Sequence, residues 1–224
     1  MKEQIIFKFP EKSFYFEEDF CIGDNNLEAY KIIKNWPNWD FKLINIFGPK
    51  KSGKSHLTKI FSDITNSEIF HANKIEKEDL ELIIKSKILI IENVELFKDE
   101  LLFHTILNDF INKKKFVFFT SSKFIGKIKF VLKDLNSRLN SFVGISIDNP
   151  SDKLFAQILI KMLSDKQVNL SEKEISYICN KIERTYESLA SFVNILDELS
   201  LIYKKKITLK IINEAIVKQL KLFI

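Results

Sequence analysis

The eight residues Gly48-Pro49-Lys50-Lys51-Ser52-Gly53-Lys54-Ser55 constrain this chain more than any other stretch, because they satisfy the phosphate-loop pattern G-x-x-x-x-G-K-[ST] without a gap. The flanks agree. Asp40 to Phe47 reads as a buried strand running into the loop, and Ser55 to Phe61 reads as the opening turns of a helix. Strand, loop and helix in that order make a cradle for an anion. The two glycines let consecutive backbone N–H groups converge on a phosphate at the positive end of the helix. In such a cradle Lys54 reaches the terminal phosphates and the Ser55 hydroxyl holds Mg²⁺. The pattern implies ATP or ADP as ligand.

Composition bounds the rest. With 224 residues, 46% hydrophobic and 29% charged, the chain can bury one substantial core plus a small second unit. No apolar run approaches a membrane span, and Met1-Lys2-Glu3-Gln4 lacks a signal-peptide layout. Cys21 and Cys179 are far apart and without metal spacing, so a reduced cytoplasm is the expected location, with no membrane partner. The charge of +5 permits contact with nucleic acid without arguing for it, because lysines are spread over the whole chain. Of 35 basic residues only Arg138 and Arg184 are arginine. An AT-rich coding background favours lysine wherever either cation serves, so arginine marks places that need a planar, permanently charged, multi-donor group.

Residues 1–19 are aromatic-rich and extended-looking, with Pro10 interrupting any helix. A turn at Gly23-Asp24-Asn25-Asn26 leads into an amphipathic helix to Lys34. Strands are expected at 69–71, 88–91, 116–119 and 143–147, and helices at about 55–65, 77–85, 99–112 and 128–136. This alternation predicts a parallel α/β sheet. After Pro150 only helices are expected, starting near Ser151, at Ser171 (Ser171-Glu172-Lys173-Glu174 is a capping box), near Thr185 and at Thr208. The expected organisation is an N-terminal segment 1–19, an α/β nucleotide-binding domain 20–150 and a helical domain 151–224.

An α/β core followed by a helical lid is the plan of AAA+ ATPases, and the fold class expected is an AAA+ P-loop parallel-sheet core with a small all-helical lid. Within that plan the chain resembles the bacterial replication initiator DnaA. Phe20-Cys21-Ile22-Gly23-Asp24-Asn25-Asn26-Leu27-Glu28-Ala29 is similar to the segment that packs beside the adenine, which implies nucleotide contact for Asn26; His56, just after the loop, is placed near the phosphates. Ile88 to Glu95 sits where the family has its Walker B strand, with Glu92 beside Mg²⁺ and Asn93 after it. Phe103-His104-Thr105 resembles the following helix, and Thr120-Ser121-Ser122 the sensor I turn. Asp134-Leu135-Asn136-Ser137-Arg138-Leu139 resembles the box that carries the arginine finger, and Arg184 falls at the sensor II position. Both arginines land where this family uses guanidinium groups.

Departures sharpen the picture. Where a hydrolytic site has two acids the chain has Glu92-Asn93, and an amide cannot act as general base. Ser121-Ser122 lacks the acidic group often found in the initiator. Slow intrinsic hydrolysis is expected. Gln4-Ile5-Ile6-Phe7-Lys8-Phe9 is similar to the peptide by which bacterial proteins dock on the sliding clamp, with Gln4 fixing register and Phe7 and Phe9 entering an apolar groove; it reads equally as an edge strand of this protein's own sheet. Joined to an initiator-like ATPase that ends at Ile224 without a helix-turn-helix domain, the peptide implies an Hda-type regulator. The resemblance then implies that Arg138 acts in trans on ATP held by DnaA, that Arg184 touches the bound phosphates, that DNA is met through the clamp, and that AAA+ surfaces permit self-association. Arg138 also has Asp134 one turn earlier for a simple ion pair, and Arg184 has Glu183 and Glu187 nearby.

Two other readings share the loop: a loader or chaperone ATPase acting on a helicase or transposase, which has no need of Gln4 to Phe9, and a small-molecule kinase, which has no need of a separate lid. His71 and His104 lack acidic or cysteine partners at ligand spacing. Trp36-Pro37-Asn38-Trp39 reads as an aromatic cap on the sheet's edge, and the runs Lys113–Lys115 and Lys204–Lys206 as solvated helix ends.

Overall fold

Five apolar segments become strands because both of their faces are covered. In the computed structural model, which describes residues 15–203 and 207–221, β1 (Leu43–Phe47), β2 (Ile69–His71), β3 (Ile88–Glu92), β4 (Phe116–Ser121) and β5 (Val143–Ser146) form one parallel sheet in the order β2-β3-β4-β1-β5. Every residue of β3 is buried, as expected for a parallel strand sandwiched between helices. Side-chain alternation divides the core in two. Ile88, Ile90, Phe118, Ile44 and Ile46 face α1 (Leu27–Lys34) and α2 (Lys54–Thr65), where Ile33, Leu57 and Phe61 are completely buried. Leu89, Ile91, Val117 and Phe119 face the other way, onto Phe103, Ile106, Leu107 and Phe110 of α4 (Glu100–Asn112).

Beyond β5 lie α6 (Asp152–Asp165), α7 (Glu172–Cys179), α8 (Tyr186–Tyr203) and α9 (Leu209–Leu220), with no strand among the described residues. They enclose a third cluster built on Phe155, Leu159, Leu189, Phe192, Leu196 and Ile212. Ser151 and Ser171 cap α6 and α7, and the Ser171–Glu174 capping box is formed. Tyr186 joins this unit to the sheet: its ring lies in the cluster under α2, and its hydroxyl donates to the Asp148 carbonyl at 3.1 Å. Burial pushes the Tyr186 phenol up to about 12.

Several sequence expectations shift. The helix expected at 128–136 begins only at Lys133, as α5 (Lys133–Leu139). Phe130, Val131 and Leu132 stay out of it because side chains take their amides: Asn136 Oδ1 accepts from Phe130 N, and the Glu100 carboxylate accepts from Val131 N and Leu132 N. The helix expected at 77–85 opens with a 3-10 turn, Lys77–Asp79, before α3 (Leu80–Lys85). Lys115 is no solvated helix end; its Nζ donates to the carbonyls of Ile84 and Ser86 at 2.6 and 2.9 Å and stands over the Phe110 ring. Trp36 and Trp39 do cap the sheet, packing on Phe61 and Phe116. Lys204–Lys206 and the Gln4–Phe9 peptide lie outside the described residues.

A polar knot holds the loop-bearing end of the sheet. Asn45, fully buried on β1, donates from Nδ2 to Ser121 Oγ at 2.9 Å and to the Phe119 carbonyl at 3.3 Å, while its Oδ1 accepts from Ile125 N at 2.9 Å. Removing a partner from a buried network leaves the others unsatisfied. Asn45→Ala is therefore expected to lower unfolding free energy by about 1–3 kcal/mol, read as a reduced urea midpoint; an unchanged midpoint would show that the knot is replaceable.

Candidate nucleotide site

The strand order puts the C-terminal ends of β1, β3 and β4 side by side, and the candidate residues gather there. The 48–53 turn leaves β1 directly. A side chain at Gly48 would place its Cβ 2.5 Å from the Ile147 carbonyl oxygen, and Gly53 sits at φ 91°, so both positions demand glycine. Lys50 and Lys51 are on the turn, Lys51 itself at φ 63°. Ser52 is buried, and its hydroxyl has no partner among the described residues. Lys54 opens α2 and reaches back over the loop, donating from Nζ to the carbonyls of Gly48 and Pro49 at 2.8 and 2.6 Å. Burial lowers its pKa, opposed by the charges of Glu95 and Glu92. Ser55 is on the first turn of α2, half-buried.

The two carboxylates face that cation from the end of β3. Glu92 is 5% exposed, and its Oε1 takes no hydrogen bond among the described residues; Oε2 lies 3.3 Å from His71 Nδ1. Glu95 accepts from Ser122 N through Oε1, and its buried Oε2 is unpartnered there too. A buried carboxylate oxygen left bare beside a phosphate loop fits a hydrated Mg²⁺ ion held jointly with Ser55. Asn93 follows in the left-handed region (φ 52°), its amide donating to Thr120 Oγ1 at 3.3 Å.

Nucleoside-sized space opens beside the loop, lined by Phe20, Cys21, Asn26, Lys51, Ser52, Gly53 and His56 and, from the helical unit, by Ile158, Lys161, Met162 and Tyr186. Asn26 shapes its wall: Oδ1 accepts from Gly23 N and Nδ2 donates to the Cys21 carbonyl, both at 2.9 Å. His56 bonds the Phe16 carbonyl at 2.6 Å and meets Phe20 edge-on. Burial lowers its pKa, the Phe16 bond opposing.

Other expected residues are placed differently. Ser121 turns its hydroxyl into the Asn45 knot and to the Lys123 carbonyl rather than toward the loop, and Ser122 contributes its amide to Glu95. Arg184 does not line the cleft; its Nη1 pairs with Asp152 Oδ1 at 2.8 Å on the open surface of α6. Arg138 lies on α5 with its Nε 3.3 Å from Asp134 Oδ2, the pair that i,i+4 spacing allows. His71 and His104 do find acidic partners, Glu92 and Asp134, which sequence spacing could not show because each pair joins different elements. Among the described residues no three potential ligands gather for a transition metal. Sequence reasoning missed Lys161, Tyr186 and Glu95. Only Glu95 had a signal, an acid three residues beyond Glu92.

Comparisons with known proteins find DnaA relatives in sequence, and both DnaA and RuvB in fold. Residues 152–216 match the model of the Hda lid domain. The replication initiator DnaA of Buchnera aphidicola subsp. Baizongia pistaciae is 27% identical over 218 residues, 85% of this chain and 48% of the relative; that of Mycoplasma capricolum is 25% identical over 193 residues, 73% and 43%. The chain spans about half the length of the curated relatives it matches. Domain III of Thermotoga maritima DnaA superposes with a TM-score of 0.73 at 19% identity, over 92% of this chain and 97% of that one. AMPPCP-bound DnaA from Aquifex aeolicus does so with 0.67 at 18%, over 83% and 65%. Among the described residues no helix is long and apolar enough to cross a membrane.

Two outcomes are expected from this geometry. Lys54→Ala should weaken ATP and ADP binding at least about tenfold, the loss of one charge-assisted contact, by titration calorimetry; unchanged affinity would remove the loop from the site. His56 is more readily protonated in the unfolded chain than in the folded one, so its neutral form stabilises the fold above an ordinary histidine pKa of about 6.5, and that contribution is lost as pH falls below it. His56→Gln should flatten the melting-temperature profile between about pH 7.5 and about pH 5.5.

Proposed function

We propose that this chain, a DnaA-like AAA+ protein with an Hda-type lid, is a nucleotide-binding regulator of replication initiation that docks on the sliding clamp and promotes hydrolysis of ATP held by DnaA. The observation that carries the reading is the joint match: an initiator-like core continuing into residues 152–216 that fit the Hda lid. Lys54, the backbone of 48–54 and the Asn26 wall would grip ATP or ADP. Ser55 and Glu92 would hold Mg²⁺, which supplies charge neutralisation on phosphate oxygens. The chain's own hydrolysis stays slow, because Glu92 is followed by an amide, which cannot act as general base, and the other acid at this edge, Glu95, is tied through Oε1 to Ser122 N.

Catalysis is instead exported. Arg138 stands on α5 away from this chain's own cleft, where it would meet the γ-phosphate of ATP on a neighbouring initiator. A guanidinium delivered there stabilises charge developing on the transferred group, an effect worth 10³–10⁵-fold in rate in the best-studied cases. Arg184 is held only by an exposed ion pair, worth about 0–1 kcal/mol, and would exchange Asp152 for nucleotide phosphate when the lid closes. Docking through Gln4, Ile5, Ile6, Phe7 and Phe9 would confine the reaction to clamp-loaded DNA.

The test is hydrolysis of ATP pre-bound to the cognate initiator, with clamp-loaded DNA, with and without this chain. Acceleration is expected to vanish with Arg138→Ala and to need Phe7. Absence of any acceleration by a chain that binds nucleotide and clamp would overturn the regulator and favour a loader acting on another protein.

A further inference from the structure

An arginine on a surface helix normally samples many rotamers, and an i,i+4 pair does little to stop it. Arg138 differs because its partner is itself held from a second helix. The Asp134 oxygen that accepts from Arg138 Nε, Oδ2, lies 2.5 Å from His104 Nε2 on α4. Asn108, one turn further along α4, stands against the same ring, its Nδ2 at 3.0 Å from His104 Nε2 and 3.3 Å from Nδ1. In the tautomer with hydrogen on Nε2, the ring donates to the carboxylate. The order of influence on Asp134 agrees: its carboxyl is held below the usual range first by the His104 hydrogen bond and then by the Arg138 charge. The Arg138 side chain is 29% exposed, whereas Asp134 is 62% exposed, so the guanidinium is sheltered despite its place on a short outer helix.

The geometry of the contact is selective. Asp134 engages Nε alone, and Nη1 and Nη2 have no partner among the described residues. The two-nitrogen end of the fork, the part that matches phosphate oxygens, is left unengaged by Asp134.

We propose that Asn108, His104 and Asp134 form a positioning relay across α4 and α5 that fixes the Arg138 guanidinium in the orientation in which it meets a neighbouring molecule's phosphate oxygens. This rests on reading Arg138 as a cation that acts in trans. The relay lowers the freedom the side chain must lose at the moment of reaction, so its loss slows turnover rather than weakening association.

Two measurements on the full chain test it. The first is stimulated hydrolysis of initiator-bound ATP at increasing concentrations of each variant, with thermal melting to establish folding. Asp134→Ala is expected to lower the maximal rate about 10- to 100-fold while leaving the half-maximal concentration unchanged; Asp134→Asn, whose amide oxygen still accepts from Nε, should recover most of it. A wild-type or raised maximal rate in Asp134→Ala overturns the relay. If the native chain stimulates nothing, the proposed function falls, and the second measurement still decides the relay. With only two arginines, the Nε–H resonances of Arg138 and Arg184 are separable by NMR. Hydrogen exchange at Arg138 Nε should be slowed in the native chain and accelerated in both Asp134→Ala and His104→Ala. Equal exchange in native and His104→Ala chains overturns the proposal.

Discussion

Parallel pairing of β1 between β4 and β5 is the constraint on which the rest depends. Because all strands run the same way, every strand-to-helix turn leaves at one edge, and ligand sites of open α/β sheets form there. β1 delivers the 48–53 loop to that edge, β3 delivers Glu92, and β4 delivers the Thr120–Ser121 turn. The pairing also dictates chemistry within the loop. The chain after β5 passes so close that its Ile147 carbonyl excludes any side chain at position 48, while Ile147 N donates to the Phe47 carbonyl at 2.7 Å. The Asn45 knot then ties β1, β4 and the turn at Ile125 together from inside. A site assembled from three strand ends is held by a polar network that touches no ligand.

Electrostatics at this edge is unbalanced in a useful direction. Lys54 stands partly desolvated over the carbonyls of its own loop, and Glu92 and Glu95 each keep a buried oxygen without a partner among the described residues. Unpaired buried charge is costly, and phosphate with Mg²⁺ complements both signs at once: oxygens for the lysine and loop amides, a cation for the carboxylate. The polypeptide at this edge is poorly satisfied by itself, which is the electrostatic condition that an anion with a cation would relieve.

What could be read in the sequence was what is local. The loop is eight consecutive residues; strands buried on both faces are apolar runs; Ser171 and Glu174 cap their helix from three residues apart. The failures share one cause, which is that a side chain distant in sequence did the deciding. Glu100, more than thirty residues away, takes the amides of Val131 and Leu132 and delays α5. His104 reaches Asp134 and His71 reaches Glu92 only because the fold brings their elements together. Ser121 reads as part of the turn after the 116–119 strand, whereas it ends β4 and partners Asn45, since a polar residue inside an apolar strand carries no mark of what it will bond.

The two arginines show why residue identity alone underdetermines role. Each is paired with an aspartate, but only the Asp134–Arg138 pair is visible in the sequence, since Asp152 reaches Arg184 from another helix. Asp152 meets Arg184 from the first turn of α6 in an open setting, both side chains more than half exposed, and no second side chain among the described residues holds the carboxylate in turn. Such an exposed contact contributes little and is easily exchanged for another anion. Asp134 is held by His104, and Arg138 is sheltered by the packing of α5 on α4. That contact is the more constrained of the two, because its acid is shared between two helices. The same kind of ion pair is thus loose in one setting and buttressed in the other, and the difference lies in whether the acid has a further partner among the described residues.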